Sequence, residues 1–134
     1  MDPYEPPQSP PPPPSTGGSF SNPDAKQWGL YLHLSQLTNL IVPGLGIAAP
    51  IIIWQIKKDQ FPELDPHGKM VANWLISLLI YVLAATVAAL ATCGIGTILY
   101  IPVAIVGIVF PIIGGIKANN GILWKYPLTI TFIK

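Results

Sequence analysis

From Met70 to Ile116 the chain contains no Asp, Glu, Lys, Arg or His. A helix rises about 1.5 Å per residue and a bilayer's hydrocarbon layer is about 30 Å thick, so about 20 apolar residues cross it once. This stretch is long enough to cross twice. It is interrupted at Thr92-Cys93-Gly94-Ile95-Gly96, where the glycines favour a turn over a continued helix. The pattern predicts a transmembrane helical hairpin with limbs Val71 to Thr92 and Thr97 to Ile116.

A second apolar run, Trp28 to Trp54, is broken near its centre by Pro43-Gly44-Leu45-Gly46. Proline in a helix interior costs about 3 kcal/mol and each glycine about 1 kcal/mol. One reading is a single kinked span, giving three crossings in all, because neighbouring helices can re-satisfy the carbonyls that proline frees. The other is a short helical hairpin packed against the long one. The clustering favours the hairpin, since one proline makes a kink but Pro with two Gly makes a turn. The predicted fold is therefore an all-α integral membrane protein with helices at about 26–42, 45–56, 66–92 and 97–118.

The connections have their own signals. Asn22 or Asp24 can cap a helix beginning near Ala25, and Asp65-Pro66 reads as an N-cap followed by Pro at the first helical position. That helix starts in water and enters the membrane near Val71. Ala118-Asn119-Asn120-Gly121 is a helix stop with Gly as the cap. Residues 126–133 alternate and are rich in β-branched side chains, which predicts an extended segment at the interface. Residues 1–24 are dominated by proline and predict a solvated, disordered spacer.

Within the long hairpin, Asn73, Ser77 and Tyr81 recur at i, i+4 and i+8 and share a face that Ala84 and Ala88 continue. Asn is costly in lipid unless paired, so Asn73 is expected to bond a neighbouring backbone carbonyl or Ser35 on the first hairpin. Ala104, Gly107 and Gly114 on the last helix offer small residues for close packing. Trp54, Trp74 and Trp124 fall at the level where interfacial aromatics sit. Lys57, Lys58, Lys69, Lys117 and Lys125 flank one end of the long hairpin, and the Cys93 turn has no lysine. The lysine-bearing end, with the C-terminus, is therefore expected in the cytoplasm of a multi-pass protein of the bacterial inner membrane.

Composition narrows the function. Charged residues make up 10% of the chain, against about 25% in soluble domains. All seven basic residues are lysine, which argues against nucleic-acid or phosphate recognition through the Arg fork. Cys93 is alone, so no intrachain disulfide forms. No span carries a carboxylate or lysine, which weakens pump and ion-coupled readings. His33 lies about one turn into the first helix and reads as a neutral interfacial histidine bonded to backbone or water. Asp59, Glu63, Asp65 and His67 fit no closed metal-ligand spacing. Ser35 and Ser77 have no base nearby in sequence. No cofactor, metal or catalytic residue is expected. The partners are the lipid bilayer, other membrane proteins or further copies of the chain.

One stretch is more specific: Asp65-Pro66-His67-Gly68-Lys69-Met70-Val71-Ala72-Asn73-Trp74. With His33-Leu34-Ser35 before it and Ile116-Lys117-Ala118 and Tyr126-Pro127-Leu128 after it, the chain resembles a family of small bacterial membrane proteins of unknown function similar to the Tic chloroplast inner-envelope import component. His67, Gly68, Lys69 and Asn73 match that family's run, whereas Met70, Val71 and Trp74 depart from it. The resemblance implies four helices with both ends on one side, and a link to protein translocation. His33, Ser35, His67, Gly68, Lys69, Asn73 and Ser77 stand out as a structural or functional motif. The reading is a non-enzymatic membrane scaffold or translocation-related component, with a permease or channel formed by oligomers as the alternative.

Overall fold

The computed structural model describes residue 20 and residues 22–134. The expectation of a disordered tail falls almost wholly outside the described residues. Four α-helices follow in order, α1 (Pro23–Leu34), α2 (Leu45–Lys57), α3 (Leu64–Ala91) and α4 (Tyr100–Asn119), with no strand among the described residues. Short 3₁₀ segments, Ser35–Leu40 and Ile95–Leu99, follow α1 and precede α4. Two helical stretches, Leu64–Ala91 and Ile95–Asn119, are long and apolar enough to cross a membrane.

Local chemistry sets the ends. The Asn22 carboxamide oxygen accepts from the Asp24 N–H at 2.9 Å, and Pro23 opens α1 where its missing N–H costs nothing. α1 gives way to the tighter 3₁₀ form at Ser35, whose hydroxyl bonds the Leu32 carbonyl at 2.9 Å. The chain then reverses at Pro43-Gly44. Gly44 sits at φ 92°, and its N–H donates to Asn39 Oδ1 at 2.6 Å. α3 begins ahead of Asp65, because Leu64 and Asp65 donate their N–H groups to Phe61 and Pro62 carbonyls. Asp65 is thus not the cap. It accepts from Trp54 Nε1 at 3.0 Å and pairs with Lys69 at 2.8 Å. α4 ends in a Schellman motif: Gly121 at φ 81° and Ile122 return their N–H groups to the carbonyls of Ala118 and Lys117.

The first hairpin reaches only part of the way along the long one. His33 touches His67, so the two lie at one level. Below His33 the six-residue 3₁₀ segment descends about 12 Å at ~2.0 Å per residue. α3 continues from His67 to Ala91, about 36 Å at 1.5 Å per residue. The molecule therefore has two helices long enough to cross a membrane and one shorter hairpin that turns back at part of their length, the re-entrant hairpin, in place of a single kinked span. The Phe20 N–H donates to the Gly121 carbonyl at 3.1 Å, so the start of the described chain and the end of α4 share one face.

Burial follows this geometry. Up to Ser77, α3 is largely buried; beyond it Ala85 is the one buried residue, and Leu79, Leu83, Val87 and Leu90 are exposed. The core, Leu32, Trp54, Met70, Val71, Trp74, Leu75 and Tyr126, lies entirely at the lysine-bearing end. Trp74 is fully buried and packs on Phe110 and Tyr126. It is not an interfacial anchor, because the re-entrant hairpin and the C-terminal segment cover its level. The small residues also act differently from the expectation. A Cβ at Gly107 would meet only Leu78 methyls at 3.8 Å, so α3 and α4 stand apart there. The close approach is at the turn, where Gly96 of the second 3₁₀ segment lies on the Ala88 backbone of α3.

Gly68 is pressed flat against the Trp54 indole, and a Cβ there would sit 2.2 Å from Trp54 Cγ. Gly68→Ala is expected to destabilise the fold by about 1–3 kcal/mol through overpacking, read from denaturant unfolding of the purified protein in micelles.

Candidate functional site

A buried polar cluster joins the re-entrant hairpin, α3 and the C-terminal segment. Tyr126 Oη lies 2.6 Å from His33 Nδ1, and His33 Nε2 lies 3.1 Å from His67 Nδ1. Gln36 Nε2 donates both to the His33 carbonyl and to Tyr126 Oη, each at 3.1 Å. The His33 tautomer protonated at Nε2 satisfies all four contacts, as does the reverse direction through a His33 protonated at Nδ1. In the first, Gln36 donates to the phenol oxygen, the phenol donates to His33 Nδ1, and His33 Nε2–H donates to His67 Nδ1. Burial raises the Tyr126 phenol above its ordinary range, so it remains a donor. His33 and His67 are fully buried, and Phe20 stacks on the His67 ring at 4.3 Å. Gly114 makes room for the cluster, since a Cβ there would come within 2.7 Å of both Tyr126 and His33.

A second arrangement runs along α3. After α4 the chain turns at Tyr126–Thr129 and returns as a non-helical segment antiparallel to α3. Tyr81 Oη donates to the Leu128 carbonyl. The Ile130 N–H donates to Ser77 Oγ at 2.8 Å, and the Ser77 hydroxyl donates to the Asn73 carbonyl. Asn73 Oδ1 accepts from Phe132 and Ile133 at 2.8 and 2.7 Å, and Asn73 Nδ2 donates to the Ile133 carbonyl at 2.8 Å. The spacing follows from two rises. Four helical residues advance about 6.0 Å and two extended residues about 6.6 Å, so residues four apart on α3 meet residues two apart on the segment.

The structure brings His33 and His67 together, with Gly68 and Lys69 flanking on α3, and places Asn73 and Ser77 on the ladder. Ser35 belongs to neither arrangement; its hydroxyl is spent on its own helix. Asn73 meets the C-terminal segment, not the first hairpin or Ser35. The partners of His33 are side chains, not backbone or water. Tyr126 and Gln36 had no sequence signal as members of the cluster, because Tyr126 is 93 residues from His33 and Gln36 sits in an otherwise ordinary apolar run. Among the described residues, no group of three or more His, Cys, Asp or Glu is placed to hold a metal ion.

Fold and site define a helical membrane protein, with two helices long enough to cross, a shorter re-entrant hairpin and a C-terminal strap fastened to the first long helix by side chains. The chain belongs to the magnetosome magnetite crystal formation protein family (MamF/MmsF), whose model matches residues 24–133. This match overturns the resemblance to the proteins similar to the Tic import component, and the translocation reading falls with it. No curated protein and no solved structure matches the chain.

Asn73→Leu removes every bond that Asn73 makes to the strap and leaves two strap N–H groups without partners. The variant is expected to lose about 1–2 kcal/mol. Hydrogen exchange at Phe132 and Ile133 should accelerate while exchange in the buried part of α3 is unchanged. Tyr126→Phe leaves His33 Nδ1 without its partner and is expected to cost about 1–3 kcal/mol in micelle unfolding.

Proposed function

We propose that this protein is a non-enzymatic membrane scaffold that acts in magnetosome magnetite crystal formation, the process that describes its family. The observation that carries the reading is the state of the Asn73–Ser77–Tyr81 face. A solute path needs polar groups turned towards water, whereas Asn73 and Ser77 are buried, Tyr81 is half-buried, and all three are bonded to the strap backbone. His33 and His67 are likewise enclosed by protein. The motif His33, Ser35, His67, Gly68, Lys69, Asn73 and Ser77 then serves to hold shape rather than to bind or react. The surface left for partners is the polar loop with Lys57, Lys58 and Asp59, together with the lipid-facing sides of α3 and α4. In this reading the lysine-bearing end and the C-terminus face the cytoplasm, supported by the lysines gathered there and by their absence from the Cys93 turn.

Reconstitution tests the scaffold against the pore. The protein in liposomes is expected to pass no small solute, and deletion of its gene in a magnetite-forming cell is expected to change crystal size or number. A solute flux that Asn73→Leu abolishes would establish the permease reading instead. Topology is checked separately. Cys93 is exposed at the turn, and an impermeant thiol reagent should label it from the non-cytoplasmic side of the intact membrane. Labelling only after lysis would invert the orientation.

A further inference from the structure

The bonds from Tyr126 to His33 and from His33 to His67 tie the strap turn to the re-entrant hairpin and the hairpin to α3. They suit a neutral His33, whose ring gives one hydrogen and accepts another. A charged ring donates from both nitrogens. The phenol oxygen then receives hydrogens from His33 and Gln36, and the phenol's own hydrogen has no acceptor within the cluster.

The ring is fully buried, and its surroundings do not balance a positive charge. α3 faces it with His67, the 3₁₀ segment with Gln36, the strap with Tyr126 and α4 with Gly114. Charged groups on the same elements are engaged or turned elsewhere. Lys57 and Lys58 of α2 lie over the Trp28 and Trp54 rings. Asp24 on α1, Lys117 on α4 and Lys125 on the strap are exposed, and Lys26 lies beside Gly121. On α3, Asp65 is paired with Lys69, and Glu63 precedes His67 by one turn. No carboxylate among the described residues is bonded to His33. Burial, and after it the neighbouring His67, hold the His33 ring well below the ordinary histidine range. A folded value below the unfolded one means that the closure has full strength above about pH 6.5 and weakens as pH falls below it.

The strap is the part able to yield. Side chains fasten it to α3. Its turn holds Leu128 at φ 67°, a left-handed conformation that costs a residue with a side chain, and that side chain is 65% exposed. Little besides the Tyr81 and Tyr126 bonds keeps the turn in place.

We propose that His33 is an acid-sensitive latch: uptake of one proton from water on its ring separates Tyr126 from the re-entrant hairpin and frees the strap, while α3 and α4 stay folded.

The test is hydrogen exchange of the full chain in micelles, each rate divided by that of an unstructured peptide at the same pH. From about pH 6 to about pH 5, protection at Ile130, Phe132 and Ile133 should fall about tenfold, the mark of one proton taken up on opening. Protection at Val71 and Leu75, in the buried part of α3, should stay constant. His33→Gln keeps a donor and an acceptor at the position without a titrating group, and its strap should be equally protected at both pH values. A second measurement needs no variant: the ring nitrogen NMR signals of His33 should be those of a neutral imidazole wherever the strap is protected. Wild-type strap protection that ignores pH, an equal loss in His33→Gln, a matching loss at Val71 and Leu75, or a charged His33 under a protected strap would each overturn the latch.

Discussion

A peptide group out of water must find a partner inside the protein, and the C-terminal segment meets that demand without forming a helix or a sheet. Six of its backbone groups, from Leu128 to Ile133, are bonded by side chains from α3. Asn73 contributes an acceptor and a donor, Ser77 an acceptor and Tyr81 a donor. Irregular backbone at membrane depth is tolerated only where protein supplies such bonds. The rest of the lysine-bearing end is arranged around this strap. Its turn carries Tyr126 into the core, where the ring meets Trp74 and Phe110 and the hydroxyl meets His33.

The hairpin and strap depend on each other through that tyrosine. Gln36 and His33 belong to the hairpin, His67 to the first long helix and Tyr126 to the strap, and each bond leaves its neighbour correctly paired for the next. Two glycines make the approach feasible: Gly114 under Tyr126 and His33, and Gly68 against the Trp54 indole. Neither has an unusual backbone conformation. Both are needed for space.

Much of the fold was legible in the residues, because a charge-free stretch of this length and the Pro-Gly break at Pro43 each have few physical solutions. The face Asn73–Ser77–Tyr81 was legible too; the alternation in 126–133 suggested an extended segment at the interface, whereas the segment lies along α3. Their pairing was not legible. One is a helical period and the other an extended one, and only their nearly equal advance in ångströms couples them. The His33–Tyr126 bond had no local signal at all. Trp74 and Gly107 misled for a shared reason: residue type gives depth and size, whereas burial depends on which element arrives to cover the position. The hairpin and strap cover Trp74, and nothing closes over Gly107.

The re-entrant hairpin has one more consequence. Sections through the molecule differ greatly in area: near His33 and His67 a slice cuts four helices and the strap, and near Cys93 it cuts only the two limbs of the long hairpin. The protein is a wedge, and a planar bilayer must stretch one leaflet or crowd the other to seat it. That mismatch relaxes where the membrane is convex on the broad side.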